Sequence, residues 1–187
     1  MTREVLSHYQ DPLDMVWEQA LKRIGLRLER SNMVFASSDG RGELTLGTAE
    51  TLDADDCLAQ MILHELCHSL VAGREGFAEP DWGLTQDDLT KEYACLRVQA
   101  ALLDRYGLRR VLAPTTEHRA FYDGLDEPLD GPSEQRVLAE AAIERVDQAP
   151  WHPHLREALA ATEAVVRALA GHAPRESIFS SAKHDLL

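Results

Sequence analysis

Positive charge is scarce in this chain. Its 187 residues include 19 Lys and Arg against 32 Asp and Glu, a formal net charge of −13 at pH 7. With no basic patch to offset it, that balance excludes non-specific binding to nucleic acid or to anionic membrane surfaces. The acid is spread along the chain rather than gathered in a tail, which reads as a solvated surface. Long apolar runs are missing too: none approaches the roughly 20 residues that span a bilayer. The Met-Thr-Arg-Glu start leads into no apolar core segment, so no secretory signal is expected. Cysteine is sparse. Cys57, Cys67 and Cys95 are odd in number and lack Cys-x-x-Cys spacing, the pattern of reduced thiols in a cytoplasmic protein rather than of a disulfide framework. Internal repeats and low-complexity segments are absent as well. The length suits one domain with a full core and is short for two. We place that domain at 1–172, followed by a loose C-terminal tail, 173–187.

What the chain does have is Met61-Ile62-Leu63-His64-Glu65-Leu66-Cys67-His68-Ser69-Leu70, a His-Glu-x-x-His motif with apolar flanks. On an α-helix, side chains four apart lie one above the other, so His64 and His68 can point at one ion. Neutral imidazole suits zinc, iron, copper or nickel, and one rigid helix delivers both nitrogens already oriented. Glu65 sits about 100° round the helix, where it can reach a water on the metal without binding the metal itself. It also lies in an otherwise apolar run, where an unpaired charge is costly to bury. A metal site gives it a reason to be there. Cys67 cannot aim at the same ion as 64 and 68 and is expected to pack in the core.

The rest of the chain reads as helices around a small sheet. Asp11-Pro12 is a helix start, with Asp as cap and Pro in the first turn. Apolar residues at helical spacing from Leu13 to Leu28 extend that helix to about Glu29. Met33–Ala36 and Glu43–Gly47 flank the turn signal Ser37 to Gly42 and predict a hairpin. The sheet reads equally as an exposed edge that would suit an extended substrate and as a roof over the next helix. Asp53 or Asp55 is expected to cap the central helix, which stops at Gly73. After a Gly-, Pro- and acid-rich loop, Thr85 and Asp88 open a helix over Gln86–Tyr106, closed by Gly107, with Leu89, Tyr93, Leu96, Ala100 and Leu103 as its apolar stripe. Val111–Gly131 reads as irregular. Two further helices follow, Pro132 to about Gln148 and Pro153 to about Ala170.

A catalytic site of this kind needs a third protein ligand and an open position. A third histidine six residues after the second is excluded, because the Gly and His positions of that longer motif hold Val71 and Arg74. A carboxylate from the next helix is the other option. Glu92 borders the apolar stripe of Gln86–Tyr106 and is the first choice, with Asp81, Asp88 and His118 in reserve. Two histidines and one carboxylate serve peptide hydrolysis with zinc, Glu65 acting as general base, and oxygenation with ferrous iron. The ligand set alone does not choose between them. His118, Arg119 and Tyr122 are candidates for stabilising an oxyanion.

These residues resemble two families. His64-Glu65-x-x-His68 with a downstream Glu92 resembles the glutamate-ligand zincin metallopeptidases, which implies a small sheet beside an active-site helix. Ala72-Gly73, Asp81-Trp82-Gly83, Glu92 before Gln99-Ala100, and Pro150-Trp151-His152-Pro153 are similar, over roughly residues 55–165, to the elongation factor P hydroxylase family. The chain departs from it in a shorter loop before Glu92 and in its N-terminal third. That resemblance implies that His64, His68 and Glu92 hold a metal, iron, and that a protein side chain is hydroxylated. The fold expected is α+β, mainly helical and zincin-like. The function expected is an iron-dependent protein or peptide hydroxylase with one Fe(II) or Zn(II) per chain. The alternatives are a small cytoplasmic zinc metallopeptidase and a non-catalytic metal-binding module. Asp81 and Trp82 read equally as a loop anchor or as substrate contacts.

Overall fold

The computed structural model describes residues 6–53, 56–85, 88–114 and 116–180. Among these the chain forms an α+β fold, mainly helical, with six α-helices and one three-stranded sheet. Helix α1 spans Pro12–Ile24 and is capped where expected, Asp11 accepting the Leu13 N–H at 2.8 Å. It stops earlier than the periodicity predicts. Gly25 turns into the left-handed region, φ 101°, and the chain continues as strand β1, Arg27–Ser31. Leu28 therefore belongs to a strand, because pairing with a distant strand overrides local helical spacing.

Strands β2 (Ala36–Ser38) and β3 (Glu43–Gly47) form the expected antiparallel hairpin. The first strand sits two to three residues later than expected and leaves Met33 and Phe35 exposed. Strand β1 lies parallel to β3 on its other side, giving the order β1-β3-β2. Alternation along β3 buries Leu44 and Leu46 on one face, the period-2 pattern of a half-buried sheet.

Helix α2, Leu58–Gly76, is the centre of the fold and packs against α1, α3 (Leu89–Tyr106) and α5 (Glu134–Arg145). Leu58, Met61, Ile62, Leu66 and Leu70 are buried as predicted. Its N-terminus is capped by the Cys57 thiol, which accepts the Gln60 N–H at 3.4 Å, and not by Asp53. Asp55, the other expected cap, and Gln86, the expected first residue of α3, lie outside the described residues, as do residues 181–187 of the expected tail. Earlier in that tail, Ile178 and Phe179 pack against the core. The regular part of α2 ends at Gly73 (φ 72°, ψ −172°), a conformation that only glycine adopts without strain. The Leu70 and Val71 carbonyls left open there accept from the Arg145 guanidinium at 2.7 and 3.2 Å.

Asp88 caps α3 by accepting the Lys91 N–H, and Gly107 closes it in the left-handed region. On its face Leu96, Ala100 and Leu103 are buried, but Leu89 is exposed, since it sits in the first turn beyond the contact with α2. The stretch expected to be irregular contains a short helix, α4, Arg119–Asp123. Ser133 caps α5, and α6, His154–Leu169, returns along α1. All three tryptophans are fully buried with their indole N–H satisfied: Trp17 donates to Thr162 Oγ1, Trp151 to Ser69 Oγ and Trp82 to Glu65 Oε2. Burying such large side chains is favourable only when that polar corner finds a partner.

Candidate metal centre

His64 and His68 rise from one face of α2, with Nε2 atoms 3.1 Å apart. Helix α3 crosses α2 so that Glu92 meets them: Oε1 is 3.6 Å from His64 Nε2 and Oε2 is 3.3 Å from His68 Nε2. Two donors about 2.1 Å from one ion stand about 3.4 Å apart at a tetrahedral angle and about 3.0 Å apart at a right angle. The observed separations, 3.1 to 3.6 Å with a different Glu92 oxygen facing each imidazole, lie within a few tenths of an ångström of these values, so the residues fit a small divalent cation.

The hydrogen bonding around the donors points the same way. His64 Nδ1 lies 2.9 Å from Gln99 Oε1, and the same amide donates from Nε2 to the Leu112 carbonyl at 2.8 Å. Because the NH₂ end is committed to a carbonyl, the oxygen end must face His64, so Nδ1 is the nitrogen that donates, and in the neutral ring Nε2 is the one that holds the lone pair. Burial, reinforced by the neighbouring His64, holds His68 well below the usual imidazole pKa, hence neutral. Both Nε2 atoms and the Glu92 carboxylate thus face one point, where a cation would lie within reach of all three.

Glu65 lies beside the donors rather than among them. It is 8% exposed, and burial raises its pKa above the ordinary carboxylate value, opposed by His64 and by the Trp82 indole N–H donated at 3.2 Å. Trp82 itself is presented by an unusual turn. Asp81 (φ 48°) and Trp82 (φ 57°) are both left-handed, which costs roughly 1 kcal/mol or more per non-glycine residue. The strain is held from the sheet side, where the Asp81 carboxylate accepts the Ser38 N–H at 2.8 Å. Gly40 packs so closely on this turn that a Cβ there would stand 2.6 Å from the Ala78 carbonyl. Asp81 and Trp82 thus tie this turn to the sheet and to Glu65, and both also border the open space over the donors. Trp82→Phe keeps an aromatic ring but removes the donor to the anion, so the Glu65 midpoint in metal-free protein should rise. Carbon-13 NMR titration of the Glu65 carboxyl checks this; an unchanged midpoint would show that the indole does not hold the anion.

The donors floor an open cleft. One chamber, about 340 Å³, is bordered by Glu65, His68, Glu92, Asp81, Asp88 and Leu89; the adjoining one, about 280 Å³, by His64, Phe35, Ala36, Leu96 and Pro114, and Glu117 and His118 face both. The reserve residues thus reach the cleft, while Glu92 alone of the carboxylates expected there meets both Nε2 atoms. Of the oxyanion candidates, His118 is on the cleft wall. Tyr122 is not: it is fully buried in a side cluster, its hydroxyl donating to the Arg109 carbonyl at 3.1 Å. Arg119 pairs with Asp123.

Among the described residues Cys95 is a further candidate donor, since its Sγ groups with atoms of His64 and His68 within 4.8 Å. It lies on the other edge of the His64 ring, 3.8 Å from Nδ1, and donates to the His64 carbonyl at 3.5 Å. Burial, and then Cys67, hold its pKa well above the usual thiol value, whereas a metal needs the thiolate. With Nδ1 already bonded to Gln99, we favour Glu92 over Cys95. No family model matches the chain, and neither does any curated protein or solved structure.

The sequence reading missed Gln99 and the Trp82–Glu65 bond. A signal for the first existed: Glu92, Cys95 and Gln99 share one face of α3 by spacing, and a glutamine inside an apolar stripe needs a partner. For the second there was none, because the partners come from different elements.

Proposed function

We propose that the chain is a mononuclear metal-dependent enzyme in which His64, His68 and Glu92 hold one Fe(II) or Zn(II) ion and Glu65 is the base. The observation that carries this is the mutual spacing of the three donors, 3.1 to 3.6 Å, with a buried carboxylate beside them in an open cleft. The first reading is a protein or peptide hydroxylase similar to the elongation factor P hydroxylase family. In its support, three of the residues on which that resemblance rests touch one another's partners at the site: Glu92 faces both imidazoles, Trp82 bonds Glu65, and Gln99 bonds His64. A zincin-like arrangement, small sheet beside ligand helix, is the fold reading that goes with it.

The ion, when bound, supplies Lewis acidity and, as ferrous iron, access to dioxygen chemistry. The chain's own residues do the rest. Glu65, with Oε2 held by Trp82, accepts and returns a proton at Oε1. An extended substrate would lie along β2. The Phe35 carbonyl accepts from Gly47 and the Asp39 N–H donates to Glu43, so the alternate residues Ala36 and Ser38 point their backbone groups away from β3. Ser38 N–H is taken by Asp81. That leaves the Ala36 N–H and carbonyl facing the cleft as a pairing edge.

A zinc metallopeptidase is the second reading, favoured by that edge together with His118, which borders the same cleft. A non-catalytic metal-binding module is the third, and the buried Glu65 counts against it. The partner in either enzyme reading is a protein or peptide, not nucleic acid or membrane, and the location cytoplasmic. Among the described residues no helix is long and apolar enough to cross a membrane. Elemental analysis of protein purified without added metal tests the proposal. About one ion per chain is expected; iron supports the hydroxylase, zinc without iron the peptidase, and no bound transition metal in protein then offered either ion overturns it.

A further inference from the structure

Gln99 is fully buried on α3 and makes two hydrogen bonds that use opposite ends of one amide. Nε2 donates to the Leu112 carbonyl at 2.8 Å, and Oε1 meets His64 Nδ1 at 2.9 Å. An amide is the side chain that can satisfy a carbonyl with one end and an N–H with the other without carrying charge. We propose that Gln99 is a positioning residue that fixes the tautomer and ring orientation of His64, so that the Nε2 lone pair faces His68 and Glu92 whether or not an ion is present. The inference rests on the metal-site reading only for its effect on binding; the tautomer claim stands without it.

The physical content is a choice between two protonation patterns. A free imidazole prefers the proton on Nε2, which here would aim an N–H at His68 and Glu92 and would leave Nδ1 facing the Gln99 oxygen, acceptor against acceptor. The Leu112 carbonyl forbids the compensating flip of the amide, because its own acceptor would then face the Gln99 oxygen. The tautomer a ligand histidine adopts is set by the hydrogen bond its other nitrogen makes, and loss of such outer partners typically weakens metal binding about 10- to 100-fold. Gln99 is neutral where such partners are often carboxylates, so His64 is oriented without adding a further carboxylate beside Glu65 and Glu92.

The test uses Gln99→Met, which keeps length and apolar volume but loses both bonds, and Gln99→Glu, which keeps an acceptor for His64 but loses the donor to Leu112. In metal-free wild-type protein, long-range proton–nitrogen-15 correlation should place the His64 proton on Nδ1; in Gln99→Met it should move to Nε2. Cobalt(II) binding, measured by chelator competition, should weaken about 10- to 100-fold in Gln99→Met with an altered visible spectrum. Gln99→Glu should bind within about threefold of wild type. A wild-type His64 protonated on Nε2 overturns the proposal, as does a Gln99→Met protein with unchanged tautomer and cobalt affinity. Equal weakening in both variants also overturns it, since that would mean the Leu112 anchor alone matters. Failure of wild type to bind cobalt, with the tautomer as stated, sinks the metal reading and leaves the assignment of Gln99 intact.

Discussion

Glu65→Gln should keep a full complement of metal and lose turnover by about 10²- to 10⁴-fold, the range a positioned general base contributes. The substitution is nearly isosteric, and glutamine can still accept the Trp82 indole N–H through its amide oxygen, so the fold around α2 has no reason to change. What disappears is the ability to take a proton. Because Glu65 stands beside the convergence of His64, His68 and Glu92 and not in it, the ion should stay. Metal content by elemental analysis, and rate in whichever of two assays the wild-type chain supports (oxygen consumption or peptide cleavage), are measured on the same preparation. Unchanged turnover would remove Glu65 from the mechanism. Joint loss of metal and rate would mean that it binds the ion or holds the site together.

The second large effect belongs to Glu92. Glu92→Ala removes one donor of three and should weaken metal binding by more than the 10- to 100-fold that an outer partner costs. The fold should tolerate it: alanine favours helix more than glutamate does, the Asp88 cap is untouched, and the side chain is 21% exposed. Chelator competition at fixed pH gives the number, and Cys95→Ser is the matched comparison. If Cys95 were the third donor, Cys95→Ser would lose the ion and Glu92→Ala would keep it. Full occupancy in Glu92→Ala rules Glu92 out as a ligand.

The fold was legible wherever the signal is local. Asp11-Pro12, Gly73 and Gly107 mark helix ends because capping and left-handed backbone are decided within a few residues. The hairpin between β2 and β3 was legible for the same reason. Errors fall where a distant partner decides. Leu28 continues the helical period of α1, yet it lies in β1, because it pairs directly with β3, a strand that follows only after β2 in the sequence. Leu89 fits the α3 stripe but lies beyond the surface that α2 covers. Tyr122 shares a segment with His118, and only packing sends one into a side cluster and the other to the cleft.

The candidate site divides along the same line. By itself the sequence determined that His64 and His68 face one way and Glu65 another, since a helix fixes the directions of residues one and four apart whatever surrounds it. It also determined that a buried glutamate in that run needs a partner. Only the tertiary structure decided that Glu92 reaches both imidazoles while Cys95 faces the far edge of His64, that Gln99 sets the His64 tautomer through the Leu112 carbonyl, and that a strained Asp81–Trp82 turn, tied to Ser38, supplies the N–H for Glu65. Those outcomes depend on how α2 and α3 cross and on where a loop docks against a sheet, and such contacts are set by the packing of the whole core rather than by any stretch of sequence that contains them.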